Sequence, residues 1–310
     1  MSVARVALAP AGVREWLVDA IREAGGTVVD PSAADVLVWA EPAKANELEA
    51  LLASDGQQIK WVQLPWAGIE PYRDVIARDG TRGDRIWTCA KGVYAEPVAE
   101  HALTLLLAGL RGLGQYGRAT SWTAPHGTNL LGAKVVVVGG GGITESLLRL
   151  LGPFNADVTV VRRRAVPMAG ASRVVDVGDL DAALDGAIGV VLALALTPET
   201  EGIIARPQLE RMHERGWIVN VARGKHIVTD DLVAVLQDSV IGGAALDVTE
   251  PEPLPDDHPL WTLSNCIITP HVGNTPEMAL PLLAGRITEN VGRWQRGDGL
   301  LGVIDTDLGY

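Results

Sequence analysis

Cysteine is scarce. The 310 residues hold only Cys89 and Cys266, too few for a disulfide framework and without the CxxC spacing of a zinc site, so no metal centre is expected. Cationic residues are also in deficit, 26 against 38 acidic ones, for a formal net charge of −12. So acidic a chain is a poor partner for DNA, RNA or an anionic membrane. Any anionic ligand must therefore be held by a local cluster of positive groups. No apolar run reaches the roughly 18 residues that a membrane span needs. There is no low-complexity tract and no Gly-X-Y period. The N-terminal MSVARVALAPAGVREW lacks the succession of basic region, apolar stretch and small-residue cleavage site that marks a secretory leader, and a cytoplasmic location is the expectation.

What the chain does have is apolar material, 47% of its residues, and 35 glycines. Its length fits two α/β domains better than one small core. VARVAL, TVVD, ADVLVWA and KWVQL read as short strands, and VREWLVDAIREAGG (13–26) has helical spacing with a glycine stop. EPVAEHALTLLLAGLRGL (96–113) reads as a long buried helix, followed by a polar, Trp-containing loop to about 132. From 134 the alternation restarts. AKVVVVGG, DVTVVRRR, GVVLALAL, WIVNVA, GGAALDV and NCIITP have strand length, with helical stretches at GITESLLRLLG, RPQLERMHERG and TDDLVAVLQDS. Near-continuous apolar strands of this kind belong to a parallel sheet covered on both faces. TPEMALPLLAGRITENVGRWQRG (275–297) predicts a long helix that returns to the first domain and makes it discontinuous.

VVVVGGGGIT stands where a strand meets a helix. A pyrophosphate binds at such a helix N-terminus, where free N–H groups and the helix dipole favour negative charge. Gly139 would give the tight turn and Gly141 the close approach. Thr144 stands where the fingerprint normally has its third glycine. The next strand ends in Arg162, Arg163 and Arg164, where an NAD-binding chain would carry an acid for the ribose hydroxyl. Cations there suit a 2′-phosphate, with Arg162 and Arg163 its expected contacts, so NADP(H) is favoured and NAD is the alternative.

Ligands of open α/β sheets sit outside the carboxyl ends of the strands. The residues found there are TPET, then Arg223 and Gly224, then Glu250 and Glu252 in TEPEP, then Pro270 and His271. Reduction of a 2-keto acid needs its carboxylate anchored, its carbonyl polarised and a proton delivered. An arginine fork suits the first two tasks. An imidazole, which titrates near neutrality, suits the third, with a carboxylate to hold the ring. Taken singly, each residue has a plainer reading as an ion pair, a packed ring or a loop acid.

LPWAGIE (64–70), GVYAEPVAEHAL (92–103), VVVVGGGGI, LALTPET, VNVARG, ALDVTEPEPLP and ITPH occur in this order. Through them nearly the whole chain resembles the D-isomer-specific 2-hydroxyacid dehydrogenases. The resemblance implies a Rossmann-type doubly wound coenzyme domain (99–279) and a flavodoxin-like discontinuous substrate domain (1–98 and 280–310). It implies hydride transfer between NAD(P)H and the 2-carbon of a small 2-keto or 2-hydroxy acid. By the same resemblance Arg223 binds the substrate carboxylate and carbonyl, His271 is the general acid–base, and Glu252, rather than Glu250, is its partner. Asp247 lies near the nicotinamide carboxamide, Gly142 and Ile143 face the pyrophosphate, and Leu194 and Val221 line the coenzyme. Ala67 and Gly68 complete the carboxylate site. Trp66 is a pocket wall or a packing residue, and Tyr94 a buried one. Ala195 stands where many members have proline. A homodimer is implied as well. Glyoxylate, hydroxypyruvate, phenylpyruvate and branched 2-keto acids stay open as substrates, with formate or phosphonate as further possibilities. A non-catalytic coenzyme-sensing protein of the corepressor type is the alternative function.

Overall fold

The computed structural model describes residues 3–10, 12, 15–41, 44–80 and 85–305, so Val13 and Arg14 of the first expected helix fall outside it. The chain divides into two units, one built from residues 1–94 and 275–310 and the other from 95–274. In the first stretch come β1 (Arg5–Ala9), α1 (Glu15–Glu23), β2 (Thr27–Val28), β3 (Val36–Trp39), α2 (Ala45–Ala53), β4 (Trp61–Gln63), α3 (Arg73–Gly80) and β5 (Ile86–Thr88). The strands form one parallel sheet in the order β2-β1-β3-β4-β5, the order of flavodoxin-like folds. Its core gathers Leu37, Trp39, Leu48, Val62, Leu64, Tyr72 and Trp87.

The second unit runs through α4 (Ala95–Leu110), β6 (Lys134–Val138), α5 (Gly142–Leu151), β7 (Asp157–Val161), β8 (Arg173–Val175), β9 (Gly189–Leu192), β10 (Trp217–Asn220), α6 (Thr229–Gln237), β11 (Gly243–Leu246) and β12 (Cys266–Ile268). All seven strands are parallel, in the order β12-β11-β10-β9-β6-β7-β8. This is the doubly wound arrangement, whose order reverses between β6 and β9. Alternate residues of β6 serve opposite faces. Val136 and Val138 join one buried cluster with Leu232, Val235 and Leu236 of α6, while Val135 and Val137 join another with Leu106 of α4 and Leu147 of α5. Coverage on both faces is why the strands read as unbroken apolar runs.

The chain then re-enters the first unit through α7 (Pro276–Arg296), which packs on α1. Asn290 of α7 is fully buried and donates to Gln63 Oε1 at 3.2 Å and to the Leu301 carbonyl at 2.9 Å.

Two features differ from the sequence reading. RPQLERMHERG is helical only over Arg206–Leu209. Beyond it, His213 N–H donates to the Ala187 carbonyl and the Arg211 carbonyl accepts from Gly186, so tertiary bonds replace helical ones. The edge strands β5 and β8, three residues each, are additional, being too short to show a period of two.

Candidate active site

The glycine loop joins β6 to α5. Gly139 has φ +116°, and a Cβ there would stand 2.1 Å from the Ala193 carbonyl oxygen. Only glycine lets the loop lie so close to the end of β9. Gly141 is exposed, with open space where a Cβ would be, and no side chain caps α5, whose first residues are Gly142 and Ile143. The loop thus presents uncapped N–H groups to an approachable surface, which fits a dinucleotide pyrophosphate. Thr144 is fully buried, and its hydroxyl donates to the Gly139 carbonyl at 2.9 Å. The departure from glycine therefore ties the first helical turn to the loop. The half-buried Arg162 lies across the same loop, since a Cβ on Gly140 would meet its Nε at 2.7 Å. Arg163 is exposed, and its charge helps to hold the Glu199 carboxyl below its ordinary range, after hydrogen bonds from Thr197 and the local backbone. Leu194 is half-buried and Val221 buried at the ends of β9 and β10.

Arg223 follows β10 in extended backbone. The buried Asn220 fixes its turn, donating to the Arg223 carbonyl at 2.8 Å and accepting from Ala222 N–H at 3.0 Å. Arg223 Nη1 donates to the Ala222 carbonyl at 2.7 Å. A Cβ on Gly224 would lie 1.9 Å from the Thr249 carbonyl oxygen, so the arginine turn is pressed against the segment leading to Glu252.

Glu252 Oε1 lies 2.7 Å from His271 Nδ1. Both side chains are solvent-accessible, 41% and 54% exposed, so the pair is open to a small substrate. A carboxylate only accepts, so Nδ1 carries the proton of this bond and Nε2 is the free ring nitrogen. The other acid, Glu250, offers its carbonyl to the Thr229 hydroxyl at 2.9 Å.

His271 has φ +55°, left-handed for a residue other than glycine. Asp247, at the end of β11, holds it there. Its carbonyl accepts His271 N–H at 2.8 Å, and its carboxylate accepts the N–H groups of Val272 and Gly273, each at 2.9 Å. Thr269 donates to the same carboxylate at 2.6 Å, and His101 Nε2 approaches to 3.3 Å. Burial would raise the Asp247 pKa, but these donors outweigh it and hold the group down to about 2. The expected coenzyme residue Asp247 is thus bonded to the histidine loop. His101, Asn220 and Thr269 were not singled out from the sequence; for Asn220 and Thr269 the one signal was a polar residue at the end of an apolar strand, as in WIVN, and His101, inside a helix, had none.

Trp66, Ala67 and Gly68 lie in the first unit, on the loop after β4. Trp66 is 38% exposed and packs at 6.0 Å between ring centroids on Tyr94. Tyr94 is buried, donates its hydroxyl to the Pro65 carbonyl at 2.9 Å, and has its pKa pushed upward by burial. Among the described residues no cluster of acids, histidines and cysteines could hold a metal ion, and no helix is long and apolar enough to cross a membrane.

Residues 103–273 match the family model of the D-isomer specific 2-hydroxyacid dehydrogenase, NAD binding domain. The uncharacterized protein in the proB 3′ region of Corynebacterium melassecola is 36% identical over 82% of this chain and 84% of its own length. The glyoxylate reductase/hydroxypyruvate reductase of Homo sapiens is 36% identical over 72% of this chain and 70% of its own. A D-isomer specific 2-hydroxyacid dehydrogenase from Xanthobacter autotrophicus Py2, solved in complex with NADPH and MES, superposes with a TM-score of 0.84 at 26% identity and full coverage of both chains. The chain therefore belongs to the D-isomer specific 2-hydroxyacid dehydrogenases, oxidoreductases that transfer a hydride between a nicotinamide coenzyme and the 2-carbon of a small 2-keto or 2-hydroxy acid.

Proposed function

We propose that this protein is an NADPH-dependent reductase of small 2-keto acids of the glyoxylate and hydroxypyruvate class, giving the D-hydroxy acid where the product is chiral. The observation that carries the reading is the Glu252–His271 pair, joined at 2.7 Å on strand-end loops of a Rossmann sheet that also bears Arg223 and the glycine loop. The substrate class follows the human relative, and the coenzyme follows the NADPH of the Xanthobacter structure together with Arg162 and Arg163. Two guanidinium groups at the end of β7, that of Arg162 lying across the glycine loop, suit a 2′-phosphate through charge-assisted bonds.

When bound, the reduced nicotinamide supplies the hydride for the 2-carbon. Gly139, Gly141, Gly142 and Ile143 receive the pyrophosphate, and Leu194 and Val221 line the adjoining surface. Asp247 serves the coenzyme side through the loop it holds. Arg223 anchors the substrate carboxylate and polarises the 2-carbonyl. Glu252 accepts Nδ1–H of His271 and fixes the ring, and the imidazolium, protonated on both nitrogens, hands its Nε2 proton to the carbonyl oxygen as charge develops there. On the resemblance, Trp66, Ala67 and Gly68 are substrate contacts too. The corepressor-type alternative finds no support: relatives such as the human protein bear the name of reductases, and the chain keeps the arginine, glutamate and histidine.

The second unit is the proposed dimerisation surface. Its loop after α4 carries Trp122 fully exposed and Leu131 at 65%, apolar side chains with a place against a second copy. Sedimentation of the wild type and of Trp122→Ala tests this, and a wild-type monomer contradicts it.

A panel of 2-keto acids assayed with NADPH and NADH tests the function itself. Glyoxylate or hydroxypyruvate should consume NADPH faster than NADH. A preference for NADH would overturn the coenzyme choice alone, whereas no turnover of any 2-keto acid with either coenzyme would overturn the whole reading.

A further inference from the structure

His101 sits on α4, outside the strand-end loops, and is given no part in the chemistry above. Its ring is largely buried, 19% exposed. Nε2 lies 3.0 Å from Thr269 Oγ1 and 3.3 Å from Asp247 Oδ1. The Thr269 hydroxyl gives its own proton to Asp247 Oδ1 at 2.6 Å. A hydroxyl has one proton to donate, so at the 3.0 Å contact the threonine oxygen accepts and His101 Nε2–H donates. The helix also touches the loop directly: a Cβ on Gly273 would lie 3.6 Å from both His101 Cδ2 and Val98 Cγ2.

A chain of contacts therefore runs from α4 to the proposed acid. His101 fixes Thr269 and Asp247. Asp247 grips the N–H groups of His271, Val272 and Gly273. That grip holds His271 at φ +55°, a left-handed conformation disfavoured for a residue with a Cβ. Relaxation toward ordinary backbone would swing the imidazole away from Glu252.

We propose that His101 is a positioning residue for His271, its Nε2–H locking the Asp247–Thr269 pair so that the 271–273 backbone presents the imidazole to Glu252 and the substrate. The proposal rests on the reading of His271 as the acid–base group. His101 itself touches neither substrate nor coenzyme in this role.

The test uses the full chain with His101→Ala, His101→Gln and Thr269→Val. Steady-state reduction, NADPH binding by fluorescence, and amide exchange at Val272 and Gly273 are measured on each. His101→Ala should lower kcat about 10- to 100-fold, the scale expected of a misplaced catalytic group, with NADPH affinity little changed. Its Val272 and Gly273 amides should exchange faster. His101→Gln, which keeps an N–H donor, should recover most of the rate. Should His101→Ala not fold, Thr269→Val is decisive, because losing the bridging hydroxyl should produce the same fall in kcat and the same faster exchange. A kcat within about twofold of wild type in the folded variant, on a scale where lost transition-state contacts cost far more, would overturn the proposal. So would equal losses in the alanine and glutamine variants with both amides still protected, since that is the pattern of simple packing. His271→Ala separates the two layers: if it turns over normally, the acid–base reading fails. If it is inactive while His101→Ala is normal, only the positioning role fails.

Discussion

Replacing Asp247 with asparagine perturbs one buried group whose energetics can be worked from the structure. The carboxylate is 4% exposed and accepts from Thr269 and from the N–H groups of Val272 and Gly273, with His101 Nε2 adjacent. Its folded pKa of about 2 lies below the ordinary 3.8. A depressed carboxylate stabilises the fold above its unfolded pKa, and that stabilisation disappears as the pH falls through the folded value. The gap amounts to about 2.4 kcal/mol at neutral pH, and about half of it remains at pH near 3. Asparagine keeps one acceptor oxygen and turns an NH2 group toward donors, so Asp247→Asn should cost about 2–3 kcal/mol at neutral pH. The assay is urea unfolding read by hydrogen-exchange mass spectrometry on peptides from residues 95–274, which reports this unit alone. The difference between wild type and variant should shrink by roughly half between pH 7 and pH 3. A difference that is the same at both pH values, or below about 0.5 kcal/mol at neutral pH, would refute the view that a charged Asp247 holds the histidine loop.

Arg162→Ser should lower kcat/KM for NADPH about 30-fold, the worth of one charge-assisted contact, and leave NADH turnover nearly unchanged; parallel kinetics with both coenzymes decide it. Gly139→Ala should abolish coenzyme binding and destabilise the second unit by about 3 kcal/mol or more, because the new Cβ meets a backbone carbonyl at a left-handed position; calorimetry with and without NADPH checks both effects. Thr144→Val should cost about 1 kcal/mol by removing the hydroxyl bonded to Gly139, measured as a shift in urea midpoint. Burial pushes the Cys266 thiol up to about 12 and the Cys89 thiol upward too, so neither should be alkylated by iodoacetamide at pH 8 until urea unfolds the chain, as read by intact mass.

The sequence shows most where one physical rule acts over a long stretch. Strands covered on both faces leave apolar runs, and six of the seven strands in the second unit were visible that way. β8 and β5 were not, because three residues at a sheet edge carry no readable period. Arg223, Glu252 and His271 could be picked out as candidates because each lies on a loop that follows a strand, where an open sheet offers its ligand edge. Whether Glu250 or Glu252 meets the imidazole was settled at the sequence level only by resemblance, and the fold places Glu252 against it. His101 was invisible for two reasons. It lies within a helix that reads as uniformly buried, and its partner Thr269 is 168 residues away. Thr144 shows the limit of fingerprints. The sequence marks it as a missing glycine, whereas the structure shows a hydroxyl spent on the carbonyl that the glycine turn leaves free.

The most direct test of the account is a single-turnover measurement of NADPH oxidation by glyoxylate in the wild type and in His271→Ala, with NADPH affinity measured alongside. The account predicts unchanged coenzyme binding and a hydride-transfer rate lower by at least about 100-fold, the contribution of a positioned proton donor. A His271→Ala enzyme that oxidises NADPH at the wild-type rate would contradict it.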